Sequence, residues 1–112
     1  MNNDRELLEL AARAINLKRQ PLFLSDEPFY RNPDKKGDGV MAVEWEPLYN
    51  DGDAFRLSVK LGMKVTIDLD NLISSAYIES HPNGFAVDHE GDALAATRLA
   101  IVRAAAEKGK LK

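Results

Sequence analysis

The period of the apolar positions changes repeatedly along this chain, and each change predicts an element. From Asp4 to Ile15 the spacing is helical: Leu7, Leu8, Leu10, Ala11, Ala14 and Ile15 share one side, with Arg5, Glu6, Glu9 and Arg13 opposite. Asp4 and Glu6 suit the positive end of the helix dipole, and Pro21 marks a place the helix cannot reach intact. No period persists from Lys18 to Glu44, where Pro21, Pro28, Pro33, Gly37 and Gly39 supply turn signals. That pattern predicts a long irregular connection at about 18–44. Phe23, Phe29 and Tyr30 should fold its first part onto apolar surface, Asp34 to Gly39 reads as a tip, and Val40 to Trp45 as an added edge strand.

Helical spacing returns at Ala54 to Met63, capped by Asp51 or Asp53, whose carboxylates can accept a hydrogen bond from an unpaired backbone amide. Ala54, Leu57 and Leu61 form its apolar side, and Ser58 and Gly62 on that side permit close backbone approach. The period then becomes two. Val65, Ile67 and Leu69 alternate with polar residues, and a turn at Asp70-Asn71 sets Val65 opposite Ala76. Asn83-Gly84 is the preferred pair for a two-residue type I′ turn. The two turns together place Ala76, Ile78, Ser80, Phe85, Val87 and His89 on one face and Tyr77, Glu79, His81, Ala86, Asp88 and Glu90 on the other.

Asp92 caps a last helix that runs to about Lys108, with Gly109 to stop it and Leu94, Ile101, Val102 and Ala105 on its buried side. The fold class is therefore α+β: a three-stranded antiparallel meander with helices packed on one face, in the order α, long loop, α, β, β, β, α. With 112 residues the chain reads as a single domain over 1–112. Folding at this size hides roughly 65% of the extended chain's surface, enough for a core without disulfides or a structural metal.

Composition narrows the chemistry. There is no cysteine, which excludes a disulfide framework, a thiolate zinc site and a cysteine nucleophile. The opening MNNDRELLEL is acidic and polar where a signal peptide is basic and then apolar, so export is not expected. The longest apolar run, Leu99 to Val102, lies between Arg98 and Arg103 and is far short of a membrane span. A net charge of −3 and a pI near 5.3 argue against general affinity for nucleic acid.

No P-loop, dinucleotide glycine pattern or HExxH stands in the chain, no catalytic set is assigned and no cofactor is expected. His81 and His89, with Glu79, Asp88 and Glu90 nearby, have tempting spacing for a metal. The hairpin register sends the two histidines to opposite faces, so they cannot share an ion. Asp34, Asp38 and Gly39 open like a calcium loop, but Lys36 and Trp45 stand where oxygen ligands belong. Arg98 falls within the buried stripe of the last helix and needs a carboxylate or carbonyl partner, for which Asp51 and Asp53 are the candidates. Phe29, Tyr30, Trp45 and Tyr49 either close the core or anchor a protein partner, since such aromatics are frequent binding hot spots. Arg56, Lys60 and Lys64 form a basic row, with Lys108, Lys110 and Lys112 as a second cluster.

Two stretches carry a resemblance. The run WEPLYNDGDAFRLSVKL from Trp45 to Leu61 resembles a W-N-P-L-x-D-D-G-D-A-L-R-L-A-V-K-L motif of small uncharacterised bacteriophage and prophage proteins, departing from it at Glu46, Asn50, Phe55 and Ser58. The stretch Ala95 to Glu107 is similar to their closing helix. The resemblance implies a phage-related origin and the cytoplasm of a bacterial host, and it brings no activity. The leading expectation is a non-catalytic accessory protein that binds a protein partner or its own copies. The alternative is a nucleic-acid-associated regulator using Arg56, Lys60 and Lys64, and a third is a small hydrolase using His89 with Asp88 or Glu90.

Overall fold

A computed structural model describes residues 3–17, 19–22, 25–30, 32, 44–79 and 81–111. The described elements are α1 (Asn3–Ala14), β1 (Arg19–Leu22), β2 (Ser25–Tyr30), α2 (Asp51–Lys60), β3 (Met63–Asp68), β4 (Ile73–Ile78), β5 (His81–Asp88) and α3 (Ala93–Gly109). Strands β3, β4 and β5 form an antiparallel meander in chain order. Helix α3 lies against its inner face, with α1 and α2 packed on α3. This is the α+β architecture that the pattern of residues predicts.

Part of the irregular connection expected at 18–44 is regular. Strands β1 and β2 pair antiparallel, Arg19 with Tyr30 and Gln20 with Phe29, as a separate two-stranded sheet. Pro21 and Pro28 hide this hairpin from a reading of periodicity, because proline usually demotes a strand and the pair carries no alternation. The expected tip at Asp34 to Gly39, with its calcium-loop likeness, and most of the strand at Val40 to Trp45 lie outside the described residues. At the end of that strand, the Trp45 amide donates to the Tyr30 carbonyl over 2.7 Å.

Helix boundaries differ from expectation for identifiable reasons. Helix α1 ends well before Pro21, because Asn16 turns into the left-handed region (φ 59°) and the Leu17 amide closes back on the Ala12 carbonyl. Helix α2 begins earlier, with Asn50 as its cap: the Asn50 side chain accepts from the Asp53 amide over 2.9 Å. Gly62, at φ 61° and with open space around its α-carbon, terminates α2 and is not a close-packing position. Gly109 is the reverse case. It is the last residue of α3, at the end expected for that helix, and a β-carbon there would run into the Leu10 carbonyl oxygen, so glycine also lets α1 cross close to α3 at that point.

The β3–β4 register is the expected one, with Val65 opposite Ala76, and the Asp68 carboxylate caps the turn by accepting from the Asp70 and Asn71 amides. The β4–β5 turn is not at Asn83-Gly84. The chain reverses between Ile78 and His81, which places Phe85 opposite Ala76 and Val87 opposite Ser74, with an irregularity between Ala76 and Ile78. Gly84 lies within β5, where an added β-carbon would stand 2.8 Å from the Tyr77 β-carbon, the crowding of a bulge. The displacement is by an even number of residues, so face assignments survive it. Ser74, Ala76, Ile78 and His89 are buried, and Phe85 and Val87 are half-buried on the same side.

The core is alanine-rich and carries few large side chains. Trp45, Leu57 and Val102 are its largest fully buried apolar side chains, joined by Tyr30 and Ile101 and closed in by Ala11, Ala76, Ala100 and Ala105. Small residues on α1 and α3 let those helices approach closely, which places α3 near enough to the sheet and to α2 to organise both polar clusters described below.

Candidate functional site

The stretch from Trp45 to Arg56 is tied down by two acidic residues with separate partners. Arg98, reaching from α3, donates from Nε to the Leu48 carbonyl over 2.9 Å and pairs through its guanidinium with Asp51. The expected pairing of Arg98 is thus with Asp51 and the Leu48 backbone. Asp53 does not join it: its carboxylate, 2% exposed, accepts from Asn32 Nδ2 (2.6 Å), Arg56 (2.8 Å) and the Glu46 amide (3.0 Å). Burial pushes the Asp53 carboxyl upward, but the Glu46 amide, the Arg56 guanidinium and the Asn32 amide outweigh it and hold its pKa below the usual value. Both carboxylates stand in the first turn of α2, one turned inward and the other reaching α3. Leu94, expected on the buried side of α3, is exposed, because α3 turns that end toward open surface between α2 and β3.

His89 has a hydrogen-bond partner that the sequence does not mark. Its Nε2 lies 2.8 Å from Ser74 Oγ, which lies 2.8 Å from Thr97 Oγ1, and the Thr97 hydroxyl donates to the Ala93 carbonyl. A hydroxyl has one proton. Thr97 spends its proton on Ala93, so Ser74 donates to Thr97, and His89 donates from Nε2 to Ser74. That direction is the opposite of a serine activated by a histidine base. Ser74 is 0% and His89 6% exposed, so a substrate has no room beside either, and the hydrolase expectation for His89 gains nothing from this cluster. Nitrogen chemical shifts should show Nε2 of His89 protonated at neutral pH; a bare Nε2 would contradict the chain of donors.

The expected aromatic anchors separate. Tyr30 and Trp45 are buried and meet edge to face, with ring centroids 6.0 Å apart, so both belong to the core and not to a partner surface. Tyr49 is exposed, and its hydroxyl donates to Asp4 on α1 over 3.0 Å. The Phe29 side chain lies outside the described side chains. The basic row also divides. Arg56 is committed to Asp53, and Lys64 lies 3.7 Å from Glu79 and 6.0 Å from the Tyr77 ring centroid, which leaves no continuous basic stripe of three on α2. Among the described residues no three His, Asp or Glu side chains converge to hold a metal, and no helix is long and apolar enough to cross a membrane.

Glu44 and Glu46, on either side of Trp45, form a carboxyl pair. A hydrogen bond to Glu46, partial burial and the charge of Glu46 push Glu44 up to about 7. The folded chain therefore binds this proton more tightly than the unfolded chain, and stability rises as pH falls from above 7 toward 4.5. Glu44→Gln should raise the melting temperature at pH 8 and leave it unchanged below pH 4.5; an equal gain at both values would contradict the shared proton.

An apolar groove of about 490 Å³ lies open between α2 and β3, floored by α3. Phe55 and Val59 line it from α2, Val65 and Ile67 from β3, and Leu94 and Ile101 from α3, with the Asp51–Arg98 pair as its polar end. Its size falls in the range of binding sites. Four of its lining residues, Phe55, Val59, Ile67 and Leu94, are between 54% and 67% exposed, which is unusual for so many large apolar side chains around one opening. The signal in the sequence is the pair Phe55 and Val59, four residues apart and beside the Leu57–Leu61 stripe, more apolar surface than α2 needs for its own packing. Set against protein-family models, curated proteins and solved structures, the chain matches none.

Proposed function

We propose that this protein is a non-catalytic binding module, a bacteriophage or prophage accessory protein that works in the bacterial cytoplasm by engaging a protein surface through the groove between α2, β3 and α3. The observation that supports this reading is the exposure of Phe55, Val59, Ile67 and Leu94 around one opening, where a partner gains apolar burial that the monomer forgoes. The polar clusters fit the same reading as structural elements. Asp53 and Ser74 are saturated with internal partners and buried, and the Asp51–Arg98 pair fixes one end of the groove.

The test compares the native protein with Val59→Asp and Leu94→Asp, both at exposed positions where the fold tolerates charge. The native protein should retain a protein from bacterial lysate or self-associate in light scattering, and each variant should weaken that binding by at least about tenfold. A strict monomer that retains nothing would overturn the reading, as would variants that bind as well as the native protein. Retention of nucleic acid, falling steeply with salt, would favour a regulator instead.

A further inference from the structure

Resting on that reading, we propose that the partner at the groove is a second copy of this chain, joined through strand β3 in an antiparallel pair about a two-fold axis at Thr66. Among the described residues β3 pairs with β4 alone, and its six pairs run without a register shift, so it presents an even edge of unused amides and carbonyls. The opposite edge, β5, is interrupted: Pro82 lacks an amide proton and the register breaks between Ala76 and Ile78. The even edge adjoins the apolar groove; the broken edge does not.

The sequence of β3 is complementary to itself in one register. If both copies keep their helices on the same side of the joined sheet, residues of like parity must face each other. Centring the pair on Thr66 then opposes Lys64 to Asp68 of the second copy and Asp68 to its Lys64, two opposite-charge pairs on the outer face. On the inner face it opposes Val65 to Ile67, twice. Centring on Val65 leaves Lys64 opposite threonine, and centring on Ile67 leaves Asp68 opposite threonine, so neither uses the charges of β3 as a matched set. Asp68 already accepts from Asn71 and the turn amides, and a carboxylate has room for one more donor. Lys64 contacts Glu79 in its own chain at 3.7 Å, an exposed pair that constrains it little. An isologous contact of this kind makes a six-stranded sheet and brings Ile67, Val59 and Phe55 of both copies to the seam.

The chain has no cysteine, which makes a direct test possible. In Thr66→Cys the two introduced thiols face each other across the axis, within the distance a disulfide bridges. Under mild oxidation this variant should link rapidly to a dimer, while Glu79→Cys, at an exposed position away from the axis, should link slowly. Light scattering of the native protein should give twice 12.4 kDa. Lys64→Glu should weaken the dimer about tenfold, with the loss relieved by added salt. A native monomer, together with a Thr66→Cys variant that links no faster than Glu79→Cys, would overturn the two-fold pairing. If such a monomer still retained another protein that Val59→Asp lost, the groove reading would stand without the dimer; if it retained nothing, both would fall. A monomer whose β3 amides resist hydrogen exchange would mean that the chain covers its own edge, and would also overturn the pairing.

Discussion

Replacing Asp53 by alanine is expected to lower the melting temperature by about 12 °C, corresponding to about 3 kcal/mol. Three donors converge on this carboxylate from separate parts of the chain: Asn32, the Glu46 backbone and Arg56. Asn32 is itself buried, so alanine would strand its amide and the Glu46 amide while leaving Arg56 without this counter-charge. Losing one member of such a set costs more than the pair contributed, because the remaining donors stay desolvated. Asp53→Asn keeps one acceptor and should cost less. The pH dependence has a definite sign: the folded-state pKa of Asp53 is depressed, so its contribution is present above about pH 4 and is lost as pH falls through the folded value. The native protein should lose stability in acid more steeply than Asp53→Asn, and equal acid limbs would show that Asp53 is not the group responsible.

Gly109→Ala should cost about 2 kcal/mol, or about 8 °C, although alanine is the better helix former. Two effects compete. Alanine gains up to about 1 kcal/mol in helix propensity within α3. Against this, its β-carbon would overlap the Leu10 carbonyl oxygen, a backbone atom that no side-chain rotation can move aside. Helix α1 must then retreat from α3 and loosen the alanine packing at Ala11, Ala12 and Ala105. A variant as stable as the native protein would show that the two helices cross with more space than this.

What is legible in the sequence is whatever depends on period. The alternation in β3 and its turn set the β3–β4 register correctly, and Arg98 stands out as a cation needing a carboxylate because it falls within the apolar stripe of α3, although the stripe does not choose between Asp51 and Asp53. The Asn83-Gly84 signal is real but has a second meaning: a glycine in a strand also serves a bulge, and Gly84 sits against Tyr77 for that reason. Faces survive the error because it moves the pairing by an even number of residues.

Other features are not legible because they depend on what lies across space. Helix α3 touches α1, α2 and the sheet, so a single apolar stripe cannot say that Leu94 is exposed while Ala104 and Ala106 are buried. Nothing near Asn32 marks it as a partner of Asp53, and nothing near Ser74 marks it as the acceptor for His89. Trp45 illustrates the remaining ambiguity: an aromatic before a helix suits a core or a partner equally, and only its edge-to-face contact with Tyr30 decides for the core.

The groove as a protein-binding surface is tested most directly by a photo-activatable residue placed at Val59 in bacterial cells, with Glu9 on the exposed side of α1 as the reference position. Irradiation should join the Val59 position covalently to protein, either a second copy or another chain, and leave the Glu9 position largely unreacted. Equal adducts at both positions, or none at Val59, would contradict the account.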